Sequence, residues 1–447
     1  MGKRHSTYQQ KSDRGRRNMK IAVIGAGLGG MAAAFDLVKA GHKVVIFEAS
    51  EVVGGLASGF KEPHWSWSVE RFYHHWFQSD RAILGLIKEL GWQEDVMFRR
   101  PKTVAYHQGE FYPLDSPLAA LRFPGFQFPW GILRFGLVTF YLRYLAQWQS
   151  LENFRAHDWM RQWYGERLYQ TLFQPLLEGK FGPHYTEVNM AWMWARLKAR
   201  TTRLGTFRGG FQVFADRLAD HLRSLGVSIR LNTPVTQITK GRERLLKITT
   251  TSEEEFDQCL VTSSPAQLAR MAPELPEDYL KGLLRLKSMG AVVLVLSLKH
   301  QLSRQGYYWF NIPKSAGYPF LALVEHTNYL DPKFFGGDHI VYCGDYLDPD
   351  HEYFRLSEEE LLSRFIRVFP KFNPDFKPEW INKVWLWRTS YAQPVPYLNH
   401  SRNIPSIQTP LKGLFFASMS QVYPWDRGTN FAVEICRKAA RLMMDSV

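Results

Sequence analysis

Between Lys20 and Ser50 the apolar and polar positions follow two alternating rhythms. Ile21 to Ile24 and Lys43 to Phe47 are short runs rich in β-branched residues, suited to parallel strands buried on both faces; Leu28 to Lys39 has helical spacing and stops at Gly41. The pattern predicts a compact βαβ unit. From Gly209 to Ile238 a glycine turn leads into an amphipathic helix with Phe214, Leu218 and Leu222 on one face, and then into a strand. A further strand is expected between Phe256 and Pro265. Near the C-terminus, GLFFASMSQVYPWDRGTNFAVEICRKAARLM reads as a strand, a loop and a helix beginning near Asn430. Two longer stretches, residues 61 to about 205 and about 280 to 395, are richer in aromatics.

Composition adds size and compartment. At 447 residues the chain spans about three domain lengths at roughly 150 residues each. With 45% hydrophobic and 22% charged residues, global disorder is excluded. Cys259, Cys343 and Cys436 are isolated and odd in number, which excludes a disulfide framework or a clustered cysteine metal site; core thiols in a reducing cytosol are expected, and no metal. The net charge of +14 favours polyanions: nucleic acid, anionic lipid headgroups or phosphorylated substrates. Residues 1–18 carry part of that excess and are expected to form a disordered basic arm outside the fold. No helix-turn-helix, zinc-finger or RNA-binding signature accompanies the charge, so nucleic acid is not the expected partner.

The first turn carries the chemistry. Gly25, Gly27 and Gly30 stand in G-x-G-x-x-G spacing, with Gly29 inside it, and Glu48 closes the second strand. In a dinucleotide site Gly25 permits the tight turn, Gly27 lets backbone approach a pyrophosphate, Gly30 allows close helix packing, and the helix N-terminus attracts the phosphates. Glu48 would accept hydrogen bonds from an adenosine ribose, which favours FAD or NAD over NADP.

After Glu48 comes ASEVVGGLASGF, with the pair Gly54 and Gly55. This continuation resembles the flavoprotein superfamily of amine oxidases, protoporphyrinogen oxidases, phytoene desaturases and UDP-galactopyranose mutases. The resemblance extends to the Gly209–Ile238 and C-terminal stretches. It implies an α/β fold in which a Rossmann-like FAD-binding domain (residues 19–60, 206–280 and 396–447) is threaded through the chain, with an α+β substrate domain (residues 61–205 and 281–395) inserted. It further implies non-covalent FAD, with Gly54 and Gly55 along the pyrophosphate, the Val235 backbone at the adenine, and Gly428, Thr429 and Asn430 at the flavin's pyrimidine edge. Leu56 stands where many members carry Arg, and Ser418 and Met419 where many carry a glycine and an acid.

Candidates for catalysis are fewer. His74 and His75 follow the glycine pair by about twenty residues, where mutases of the superfamily carry a histidine loop; a structural pair is the alternative. Tyr397 and Trp425 are candidate walls for a flat substrate, or simple core. Arg196, Lys198, Arg200, Arg203 and Arg208 form either a solvated face or a phosphate-binding patch. Residues 111–148, aromatic and aliphatic with Arg122, Arg134 and Arg143 against Asp115, read either as a membrane-surface segment or as a buried helical hairpin; no apolar run is long enough to span a bilayer. The expected protein is an FAD-dependent oxidoreductase, either free in the cytoplasm or peripheral at the inner membrane face, that oxidises a C–N or C–C unit of an apolar or phosphate-bearing small molecule by hydride transfer to flavin N5. The alternatives are a redox-neutral sugar mutase and a non-catalytic FAD-binding protein of the membrane surface. The sequence leaves the oligomeric state open.

Overall fold

Five parallel strands gathered from three distant parts of the chain form the sheet that carries the glycine-rich turn. In chain order the elements are β1 (Lys20–Ile24), α1 (Leu28–Lys39), β2 (Lys43–Phe47), α2 (Phe211–Ser224), β3 (Ser228–Arg230), β4 (Gln258–Val261), β5 (Leu414–Phe416) and α3 (Thr429–Asp445). The strands lie in the order β3-β2-β1-β4-β5, every pairing parallel. This computed structural model describes residues 18–114, 119, 123–124, 130–199 and 201–446. The basic arm up to residue 17, with Asp115, Arg122 and Arg200, lies outside the described residues.

Both faces of this sheet are covered, as its continuous apolar strands require. One face of β1 packs with α1, α2 and α3; the other joins Ile238, Ile248 and Phe256 from a three-stranded antiparallel sheet that branches off after β3. In α1, Ala32, Ala33 and Ala34 are fully buried, and Gly29 has no side chain to hold α3 away: a Cβ there would lie 2.8 Å from the Ala432 carbonyl oxygen and Cys436 Sγ. Arg437 of α3 locks the contact with a two-pronged pair to Asp36 at 2.8 Å and further bonds to Glu89. Phe214, Leu218 and Leu222 are the buried face of α2, as their spacing predicts, and all three cysteines are buried thiols.

The inserted residues build two further layers. A seven-stranded sheet runs Ile381–Pro394, Ser288–Leu298, His339–Leu347, Ala322–Glu325, Trp309–Asn311, Thr103–His107 and Glu110–Pro113. It is antiparallel except where Trp309–Asn311 meets Thr103–His107. Beside it, short helices between Trp130 and Ala199 enclose their own aromatic core around Trp159, Tyr169, Phe181 and Trp192. The fold class is the expected one, α/β with an α+β insertion. Within residues 111–148, no residue of the helix Trp130–Phe140 is buried, whereas Leu142 and Ala146 after it are.

Candidate functional site

The turn after β1 is shaped by three glycines that the fold requires and one that it does not. Gly25 has φ +108°, and a Cβ there would lie 2.5 Å from Thr262 Oγ1. A Cβ on Gly30 would collide with the Gly25 carbonyl oxygen, and Gly29 is held against α3. Gly27 differs. Its φ of −67° and ψ of 166° suit any residue, and a Cβ would meet nothing closer than Gly55 Cα at 4.0 Å. The space beside Gly27 is therefore open, at the start of a helix whose first turn has no side-chain cap.

Gly54 and Gly55 lie over this opening. The Gly54 N–H donates to the Ala26 carbonyl at 2.9 Å, Gly27 and Gly54 form an isolated bridge, and Leu56 continues into the short helical turn Gly55–Ala57. Glu48 ends β2 at the same edge, its carboxylate accepting from the backbone N–H groups of Ala26 (2.7 Å) and Ser50 (2.9 Å). The Thr233 N–H donates to the Glu48 carbonyl at 2.8 Å, which brings the chain leading to Val235 alongside; Val235 itself is partly buried on the Ile238–Phe256 core. At the far end α3 begins after Gly428, also without a side-chain cap. Thr429 Oγ1 accepts from Trp76 Nε1 at 3.0 Å, and Asn430 Oδ1 accepts from the Ala82 and Ile83 N–H groups, capping the helix Arg81–Glu89.

Next to the start of α3 lies a buried polar network. Arg196, 5% exposed, pairs with Asp426 at 2.6 Å; Trp192 Nε1 and Gln393 Nε2 donate to the same carboxylate. Arg427 donates to Gln393 Oε1 at 3.1 Å and to the Tyr346 hydroxyl. Burial lowers the Arg427 guanidinium to about 10 and raises the Tyr73 phenol beside it to about 12, so one stays charged and the other neutral at physiological pH. Tyr73, His74, His75 and Arg427 are all partly buried.

The two histidines face different ways. His74 Nδ1 donates to the Phe72 carbonyl at 2.6 Å, which fixes its tautomer. His75 Nε2 shares a hydrogen bond with the Tyr308 hydroxyl, its ring lies among Tyr308, Trp309 and Tyr329, and its Nδ1 is buried with no partner among the described residues. Burial pushes His74 down to about 4 and His75 to about 3, so both are neutral. Below them Glu70 is raised by burial to about 7 and accepts from the Phe211 N–H at the start of α2. Trp425 stacks on Phe431 in the first turn of α3 (centroids 5.7 Å apart) and lies 5.6 Å from Trp194; Tyr397 packs against His184 instead, its carbonyl held by Asn189.

The basic cluster does not form one patch. Arg196 points inward to Asp426, Lys198 lies over the Trp194 ring, and Arg208 turns the other way to pair with Asp95. The sequence reading passed over Asp426, Arg427, Gln393 and Tyr73. The signal available was the charged pair Asp426–Arg427 inside the apolar loop just before Gly428.

The family model described as flavin containing amine oxidoreductase matches residues 28–444. A 15-cis-phytoene desaturase of Arabidopsis thaliana is 25% identical over 77% of the chain, which spans 63% of that relative's length. Among solved structures, a putative protoporphyrinogen oxidase from Exiguobacterium has a TM-score of 0.75 at 17% identity, covering 97% of this chain and 100% of its own. Cyclohexylamine oxidase from Brevibacterium oxydans has a TM-score of 0.73 at 16% identity, covering 96% and 99%. These two likenesses are of fold.

Proposed function

We propose, from the premise that the chain belongs to the family of flavin-containing amine oxidoreductases and is an FAD-dependent oxidoreductase, that it desaturates a carbon–carbon single bond of an apolar small molecule. The observation that carries the reading of the site is the opening at Gly27, a cradle that a single methyl group would begin to fill although the fold leaves room for it. FAD fits this cradle by the chemistry of its donors: uncapped N–H groups of α1 for the pyrophosphate, Gly54 and Gly55 above it, Glu48 for the ribose hydroxyls, and the Val235 backbone toward the adenine. Leu56 supplies an apolar contact and no charge.

Bound FAD supplies a two-electron hydride acceptor. The chain's own part is electrostatic and steric. The N-terminus of α3 at Gly428, Thr429 and Asn430, together with the charged Arg427, favours added negative charge at the ring. Neutral His74 and His75 add none to oppose it. Trp425, Phe431 and Trp194 offer flat apolar surface that excludes water, while Tyr397 shapes the neighbouring cap.

The carbon–carbon choice is supported by the relative's name, phytoene desaturase, and by the aromatic lining. The sugar-mutase alternative draws less support from the basic cluster, whose Arg196 and Arg208 turn to different carboxylates. Anaerobic titration of the purified flavoprotein with 15-cis-phytoene, and separately with alkyl amines, tests the choice. Bleaching of the flavin band by phytoene alone is the expected result; bleaching by amines alone would assign the enzyme to C–N oxidation.

A further inference from the structure

A ridge of large apolar side chains stands on the helical part of the inserted domain. Of the exposed large hydrophobic residues in the described chain, most fall between residues 130 and 163. The helix Trp130–Phe140 continues through a wider turn at Tyr141–Leu145. Along it Trp130, Leu133, Leu137, Phe140 and Tyr144 recur at spacings of three and four and share one outward stripe; Trp130 is 76% exposed, Leu137 62% and Tyr144 64%. The opposite face is fastened to the body. Phe135 packs on Tyr164, Thr139 Oγ1 is 3.0 Å from the Tyr164 hydroxyl, Leu142 is fully buried, and Arg134 donates to the Gln162 and Trp163 carbonyls. The stripe is thus held out by a helix whose inner side is already satisfied.

We propose that this stripe docks the protein on the surface of an anionic phospholipid bilayer, with the helix lying in the plane of the interface. Two further observations favour that occupant. The first is charge. Between residues 130 and 167 five arginines (134, 143, 155, 161 and 167) face three acids, of which Glu152 is buried and bonded to Ser401 and Tyr423 while Glu166 pairs with Arg161. The span is net positive, as is the whole chain at +14, so a second copy would bring like charges together whereas an anionic leaflet complements them. The second is a pocket of about 590 Å³ that opens beside the ridge, lined by Tyr141, Leu151, Phe154, Trp159 and Trp163, with Arg155 and Asp158 as its charged groups. Tyr141, Phe154 and Trp163 are exposed at its mouth, so apolar surface continues from the stripe into the pocket. Among the described residues no helix is long and apolar enough to cross a membrane, so the contact is with one leaflet. The inference is independent of which bond the enzyme oxidises.

Flotation of the flavin-loaded full chain with phosphatidylcholine vesicles, with and without phosphatidylglycerol, tests it. Wild type is expected to float with the anionic vesicles and to be released by salt. Leu133→Glu/Leu137→Glu, checked for unchanged flavin content, is expected to partition at least tenfold less. Should that variant fail to fold, Leu137→Cys carrying an environment-sensitive dye is the second arm; the native cysteines are buried, so labelling is selective, and a blue shift on adding anionic vesicles is expected. Wild type that stays with neither vesicle overturns the proposal. So do a folded double variant that floats like wild type, a dye that does not shift, and a dimer in light scattering that the double variant dissolves.

Discussion

The two ends of the candidate site are built from different materials. At the nucleotide end backbone does the work: Gly25, Gly30, Gly54 and Gly55 bring three chain segments close, and Glu48 is bonded to main-chain N–H groups. At the α3 end side chains do it: Arg196 from one helix, Gln393 from the long strand Ile381–Pro394 and Asp426–Arg427 from the last loop meet in one buried network. A backbone site is specified by neighbours within a short stretch of chain, whereas a side-chain site needs the whole fold before its members meet. The two ends should therefore respond differently to substitution.

The largest difference is expected at Arg196. Replacing it by Met leaves the partly buried Asp426 carboxylate without this charged donor, at a cost of about 1.5–3 kcal/mol; adding Asp426→Asn should recover most of that. Urea unfolding of the single and double variants measures both. If the double variant is no better than Arg196→Met, the network is not the source of the loss.

At the nucleotide end, Gly30→Ala forces its methyl group into the Gly25 carbonyl and should cost about 1–3 kcal/mol, seen as a lower thermal midpoint in the presence and absence of added FAD. A similar loss is expected at acid pH from the other end. His74 and His75 have folded values of about 4 and 3, below the ordinary value of 6.5, so the unfolded chain binds more protons as pH falls below 6.5 and stability falls with it. By pH 5 each contributes about 2 kcal/mol of lost stability. Glu70, raised to about 7, acts in the opposite sense between pH 4.5 and 7. In unfolding midpoints compared at pH 7.5 and 5, His75→Gln should therefore flatten the acid limb and Glu70→Gln steepen it; parallel limbs would mean that these groups are not buried as described.

A smaller effect belongs to the bond that ties Trp76, next to the two histidines, to the start of α3. Thr429→Val removes the acceptor for Trp76 Nε1 and should cost about 1–2 kcal/mol, with a red-shifted tryptophan emission reporting the loosened histidine loop.

This contrast also explains what was legible in the sequence. The βαβ unit lies within one residue of its expected boundaries because strand, turn and helix signals there are local. The buried face of α2 and the start of α3 within a residue of Asn430 follow from the same local periodicity. The seven-stranded sheet was not legible beyond its class, since its strands are ordered by contacts between residues 103 and 394. The Asn430 side chain caps another helix, a partnership 348 positions distant that no spacing rule reveals. Arg196 belongs by spacing to a basic cluster that reads as a solvated face or a phosphate-binding patch; the helix instead points it inward to Asp426.

The most direct measurement is the flavin content of Gly27→Ala set against wild type, with thermal melting on the same samples. The account predicts about one FAD per wild-type chain, and a Gly27→Ala protein that melts within about 2 °C of wild-type apoprotein but carries little flavin, because the added methyl group harms the ligand's space and not the fold. A Gly27→Ala protein that keeps its full complement of FAD, or one whose melting midpoint falls as far as that expected of Gly30→Ala, would contradict it.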